Sequence, residues 1–176
     1  MVADTDLIDH ASDVVVETLK LADGSVATHA FVGAGKDTLE GGTGSDSRDR
    51  FVFDTKISKR DYKANKDVIK DFGSTFDDIS LDHNAFTNKT IAGFLKKKHG
   101  ASLDRAVKLD ARFVSLDGKA HDGNDFVLVK QTNSRTAKTS FDQDGSGRKY
   151  AALEIATVTL ATKEGAHLTK ADFWFI

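Results

Sequence analysis

Cysteine and proline are both missing from this 176-residue chain. Without cysteine there are no disulfides and no thiolate metal sites, so any metal must be held by oxygen or imidazole. Proline would occur several times at an average usage of about 5%. No apolar run approaches the roughly 20 residues of a membrane helix. The first residues, MVADTDLIDHASD, are acidic where a signal peptide is basic and then apolar. We therefore expect no membrane span and no Sec-type export. What is present is 39% hydrophobic residues, enough to bury one good core in one domain, with or without a ragged N-terminal arm.

The net charge of −2 is unevenly divided. Residues 1–47 carry nine acids against Lys20 and Lys36, a balance of −7, which leaves +5 for the remainder. Two basic stretches follow: Lys56, Lys59, Arg60, Lys63, Lys66 and Lys70, then Lys96-Lys97-Lys98-His99. Either could hold an acidic polymer. Acids are interleaved with them and no aromatic ladder for base stacking accompanies them, which favours a solvated face and argues against nucleic acid.

Residues 33–54, GAGKDTLEGGTGSDSRDRFVFD, contain a pattern that recurs at an interval of nine: Gly33, Gly35 and Asp37 return as Gly42, Gly44 and Asp46. Glycines at alternate positions let the backbone bend sharply with positive φ, which turns carbonyl oxygens inward, and the aspartate two residues on adds a charged oxygen. Calcium takes six to eight oxygens at roughly 2.3–2.6 Å, and this donor set suits it. A pair of Gly/Asp surface turns without an ion is the plainer alternative. The spacing resembles the G-G-x-G-x-D-x-U-x calcium-binding repeat of parallel β-helices, in which Leu39 would take the U position and point into a core. The first copy opens Val32-Gly33 where the pattern has Gly-Gly, and the second has Arg48 where an aliphatic belongs. Ser47-Arg48-Asp49 reads as an insertion before the apolar Phe51-Val52-Phe53. Two nonapeptides make a single coil of about eighteen residues, so an ion between coils needs partners from elsewhere. Advancing from Asp46 by one coil plus the insertion arrives at Asp67, the expected ligand opposite Asp46.

The remaining pattern is mostly strand. Residues 13–31 read as a hairpin turning at Ala22-Asp23-Gly24-Ser25, with Val14, Val16, Leu19 and Leu21 buried. Phe51 to Phe53 reads as a strand, as do Val68, Ile69 and Phe72, then Ile79 and Leu81, with a joint at Gly73-Ser74. Residues 88–99 read as a short helix with Ile91, Phe94 and Leu95 on its apolar face, ended by Gly100. Ser102 to Val107 reads as a second helical turn capped by Ser102. Phe126-Val127-Leu128-Val129 is a continuous apolar run, as in a strand buried on both faces. The strand LEIATVTL follows the turn FDQDGSGRKY, whose Asp142, Asp144, Ser146 and Gly147 match the opening of an EF-hand loop. Leu153 stands where the last ligand of such a loop belongs, so a tight acidic β-turn is the better reading, and Asp142 and Asp144 are candidate ion ligands within it.

The nonapeptides running into RFVFD, then DVIKDF, then DDISLD, the acidic turn and the ending LTKADFWFI occur in an order that resembles the C-terminal region of repeats-in-toxin (RTX) proteins. Serralysin-type proteases, lipases, polysaccharide epimerases and haemolysins carry such regions. The resemblance covers about residues 30–176. It implies an all-β fold, a short parallel β-roll or β-helix continuing into a β-sandwich cap with one or two short helices, preceded over residues 1–29 by an N-terminal arm or irregular leading coils. It also implies Ca2+ as the ligand of Gly33, Gly35, Asp37, Gly42, Gly44, Asp46 and Asp67. A type I (ABC transporter) secretion apparatus would read the C-terminal tail, and the location would be extracellular.

No H-E-x-x-H helix or G-x-S-x-G elbow occurs, and the six histidines are scattered, so we expect a non-catalytic module whose catalytic domain, if any, lies elsewhere in a longer protein. The alternative is a polysaccharide-binding accessory module of a secreted enzyme, using Lys59, Arg60 and Lys63. The apolar ending should either pair as a final strand or serve as a recognition tag.

Overall fold

Short alternating and apolar segments separated by glycine and aspartate turns favour strands too brief to stand alone, which must stack to bury their apolar faces. In the computed structural model, which describes residues 14–20, 26–42, 47–161 and 167–176, they form twelve strands and one α-helix. Strands β1 (Val14–Lys20) and β2 (Val26–Val32) pair antiparallel, as the expected hairpin requires. Its turn, and the side chains expected to be buried along β1, lie outside the described residues. β3 (Thr38–Leu39), β4 (Ser47–Phe53), β5 (Asp67–Phe72) and β6 (Asp78–Leu81) follow.

From β2 to β6 the chain alternates between two sheets. β2, β4 and β6 are successive parallel neighbours in one, while β3 and β5 are parallel neighbours in the other. Ser47, Arg48 and Asp49 are therefore not an insertion: they open β4 and pair with Val26, Ala27 and Thr28. Backbone pairing to β2 accommodates this polar start, and Arg48 is exposed.

After β6 the alternation is interrupted. Helix α1 (Lys89–Lys97) has Asn88 as its N-cap, whose side chain accepts the Ile91 N–H, and it buries Ile91 and Leu95. The second helical turn is absent. Ser102 and Arg105 instead exchange backbone hydrogen bonds in a tight reversal, and Arg105 also donates to the His99 carbonyl. The reversal leads into β7 (Val107–Lys108), which pairs with the C-terminal strand and so demands extended backbone. β8 (Val114–Ser115), β9 (Val127–Asn133) and β10 (Thr136–Phe141) continue the second sheet. Phe126, Val127, Leu128 and Val129 are all buried, as the unbroken apolar run requires.

The chain then rejoins the stack. β11 (Leu153–Leu160) lies parallel to β5 and β12 (Phe173–Phe175) parallel to β6, so the final strands repeat the passage from the second sheet to the first. The resulting orders are β1-β2-β4-β6-β12-β7 and β3-β5-β11-β10-β9-β8. Residues of both sheets form one core, in which Phe51 and Phe72 meet at a ring separation of 6.0 Å. Phe51, Ile69, Phe72, Ile79, Leu81, Phe173 and Phe175 are almost wholly buried, each contributing roughly 1.5–3 kcal/mol of transfer free energy. The ending thus pairs as a strand. The architecture is mainly β, with mixed sheets and a single α-helix among the described residues.

Candidate metal centre

The glycine turn between β2 and β4 lies over the segment that leads into β5. Parallel pairing of Thr38 with Val68 sets Asp37 opposite Asp67, and the Asp67 carboxylate accepts the Asp37 N–H at 2.8 Å across a separation of thirty residues. Asp67 therefore registers with Asp37, where the sequence reading had set it against Asp46. Residues 54–66 cause the difference, since they form a loop with its own turns, including Tyr62 N–H to the Ser58 carbonyl. A nine-residue period cannot count them. Gly44 and Asp46 lie outside the described residues.

The same offset recurs along the turn. Asn65 Oδ1 accepts the Gly35 N–H at 2.8 Å, and Asp71 accepts those of Gly41 and Gly42 at 3.0 and 2.8 Å. Asp77 accepts the Asp49 N–H at 3.1 Å across 28 residues. Gly35 and Gly42 make this possible with φ of 127° and 94°, which a side chain would oppose; Gly33 needs no such conformation. The turn thus presents these amides to the segment around β5, and the Asp37 carbonyl accepts the Val68 N–H at 2.9 Å. Carboxylates accepting backbone N–H groups make strong charge-assisted bonds and hold the turn on the segment around β5. Asn65, Asp71 and Asp77 were not foreseen as part of the site, although an asparagine or aspartate 28 to 30 residues after each turn amide is a pattern a longer repeat search would find.

Asp37 and Asp67 are each 2% exposed, and Leu39 beside them is in the core as its repeat position requires. Burial pushes the Asp67 carboxyl up to about 7, the Asp37 N–H opposes the rise, and the Asp37 charge adds to it. Two adjoining buried carboxylates suit a hard cation with oxygen ligands. Among the described residues no group of three or more histidines, aspartates or glutamates gathers to hold a metal.

The second acidic turn is closed on itself. Asp142 is buried and its carboxyl is pushed up to about 6, first by burial, with the Asp144 carboxylate beside it. Asp144 accepts the N–H groups of Lys149 and Tyr150 at 3.0 and 3.3 Å, and Gly147 sits so close that a Cβ there would lie 2.1 Å from its Oδ2. Asp144 thus serves as the acceptor that folds its own turn.

Lys59, Arg60 and Lys63 are exposed on the β4–β5 loop and make no ion pair among the described residues. Among the described residues the histidines do not converge: His83 Nδ1 lies 2.6 Å from the Ile176 carbonyl oxygen, while His121 Nε2 lies 2.8 Å from Asp117. Among the described residues no helix is long and apolar enough to cross a membrane. In comparison with known proteins, the chain matches no protein-family model and no curated protein.

Proposed function

We propose that the chain is a non-catalytic, calcium-binding module of the RTX type, a short β-roll stabilised by extracellular calcium and exported by a type I apparatus that reads its C-terminal tail. The observation that carries this reading is the buried pair Asp37 and Asp67, brought together where a glycine turn overlies the next coil. The alternation of β2 to β6 between two sheets with parallel neighbours supports a roll. Calcium would supply the positive charge that keeps both carboxylates ionised away from water. Asp37 and Asp67 would hold it, while the amides of Gly35, Gly41 and Gly42 already bind the next coil. The ion therefore adds its stabilisation to that of these amide contacts.

This arrangement suits export. Weak sites stay empty at intracellular calcium and fill at the millimolar level outside. Phe173, Phe175 and Ile176 are buried in the folded chain, β12 being paired on both sides, so the tail can be read only before folding. Calcium titration followed by melting temperature tests the reading: at a hundredfold excess over Kd the gain should be about 2.7 kcal/mol, and Asp37→Asn with Asp67→Asn should remove it. An unchanged melting temperature up to several times the extracellular calcium level rejects the proposal.

Lys59, Arg60 and Lys63, exposed and without an ion pair among the described residues, favour a second reading, a module that binds an anionic polysaccharide. Retention on an alginate column should then fall with salt and after charge reversal at these three positions. Retention indifferent to both rejects it.

A further inference from the structure

A second feature lies beside the second acidic turn. The β4–β5 loop, the turn after β6 and residues 141–153 enclose a cavity of about 470 Å³, within the usual range of roughly 300–1,000 Å³ for small-ligand sites. Phe86 and Phe141 meet edge to face in its lining at 5.3 Å, and Ile57 and Leu153 extend the apolar wall. Tyr150, 41% exposed, belongs to the same lining.

The polar part of the lining has one sign of charge. Lys56 and Lys59 contribute to it, and no aspartate or glutamate does. Neither lysine makes an ion pair among the described residues. Lys149 lies over the Tyr150 ring at 4.9 Å and adds a third positive charge nearby. The acids that flank the lining in sequence are engaged locally: Asp54 accepts from Thr55, Asp61 from the Ser58 N–H, Asp82 from Asn84, Asp142 from the Asp144 N–H and Asp144 from the Lys149 and Tyr150 N–H groups, while Glu154 pairs with Lys66 and Lys138.

We infer that this cavity binds an amphipathic carboxylate, with its apolar body against Phe86, Phe141 and Leu153 and its carboxylate at Lys56 and Lys59. A cation is opposed by the lysines. A sugar ring would bring hydroxyls against the phenylalanine and leucine wall, where each unpaired polar group costs free energy. An acyl or aryl body has no such penalty, and its charged end meets lysine ammonium groups that still face water.

The test is isothermal titration of the wild-type chain with octanoate, octanamide and a galacturonate oligomer. Octanoate should bind, and octanamide about tenfold more weakly, a difference of about 1.4 kcal/mol. The double variant Lys56→Gln, Lys59→Gln should weaken octanoate to the level of octanamide without lowering the melting temperature, since both lysines are exposed. Ala151→Trp, at an exposed lining position, should block both ligands. Equal affinity for octanoate and octanamide, absence of octanoate binding, or binding of the oligomer in its place would overturn the inference. Repeating the titration with Asp37→Asn and Asp67→Asn keeps this outcome separate from that of the calcium site.

Discussion

Replacing Asp67 by asparagine should stabilise the calcium-free protein at neutral and alkaline pH. The amide keeps an oxygen to accept the Asp37 N–H, a bond of 2.8 Å in the native chain, as Asn65 already does for Gly35. What the substitution removes is the buried charge. A carboxyl whose pKa is raised on folding holds its proton more tightly when folded than when unfolded. Stability is therefore lost as pH climbs from the ordinary carboxylate value to the folded one, and the loss is complete above it. For Asp67 that window runs from near 4 to about 7. The corresponding free energy is at most about 4 kcal/mol, and side-chain relaxation with water entry reduces it, so a gain of about 1–3 kcal/mol is expected at pH 8. In a chain of this length that raises the melting temperature by about 2–12 °C. At pH 3 the wild-type and variant proteins should melt together. The assay is thermal unfolding in a calcium chelator across this pH range, followed by circular dichroism and by the fluorescence of Trp174, the sole tryptophan. In saturating calcium the variant should gain less than the wild type. A variant less stable than wild type at pH 8 in chelator would refute the reasoning, because it would mean that the ionised carboxylate is already compensated.

Three further substitutions examine the surrounding structure. Gly41→Ala places a Cβ 2.5 Å from the carboxylate of Asp49, itself only 2% exposed, so a loss of about 1–3 kcal/mol in urea unfolding is expected from overpacking. Asn88→Ala removes the cap of α1 together with the bond from Asn88 Nδ2 to the Gln143 carbonyl; about 1 kcal/mol should be lost, with faster amide exchange in the first helical turn. Asp144→Ala leaves the Lys149 and Tyr150 amides without their acceptor, at a cost of about 1–2 kcal/mol. It should also bring the Asp142 carboxyl down from about 6, as followed by carbon NMR titration.

The strands that were legible in the sequence are those whose apolar residues face the core: Phe51 to Phe53, Val68 to Phe72, Ile79 to Leu81 and Leu153 to Leu160. Burial fixes such segments locally, and the same holds for the face of α1 that carries Ile91 and Leu95. The start of β4 was not legible, because Ser47, Arg48 and Asp49 are held by backbone pairing to β2 and carry no apolar signature. Ser102 to Val107 has helix-compatible residues, but β7 imposes extended backbone on its end through β12. Around the candidate metal centre the glycine turn was legible and the pairing of Asp37 with Asp67 was not. A nine-residue period describes the turns, whereas the partner of each turn is set by the length of the loop before β5. The two roles of an aspartate, ligand of an ion or acceptor of an amide, also look alike in sequence: Asp71, Asp144 and Asp67 all accept backbone amides.

The central claim is a cation held between two coils by Asp37 and Asp67, and anomalous diffraction from crystals grown in calcium tests it most directly. The account predicts a peak about 2.3–2.6 Å from oxygens of both carboxylates. Coils stacked in the same register with no peak at that position would contradict it.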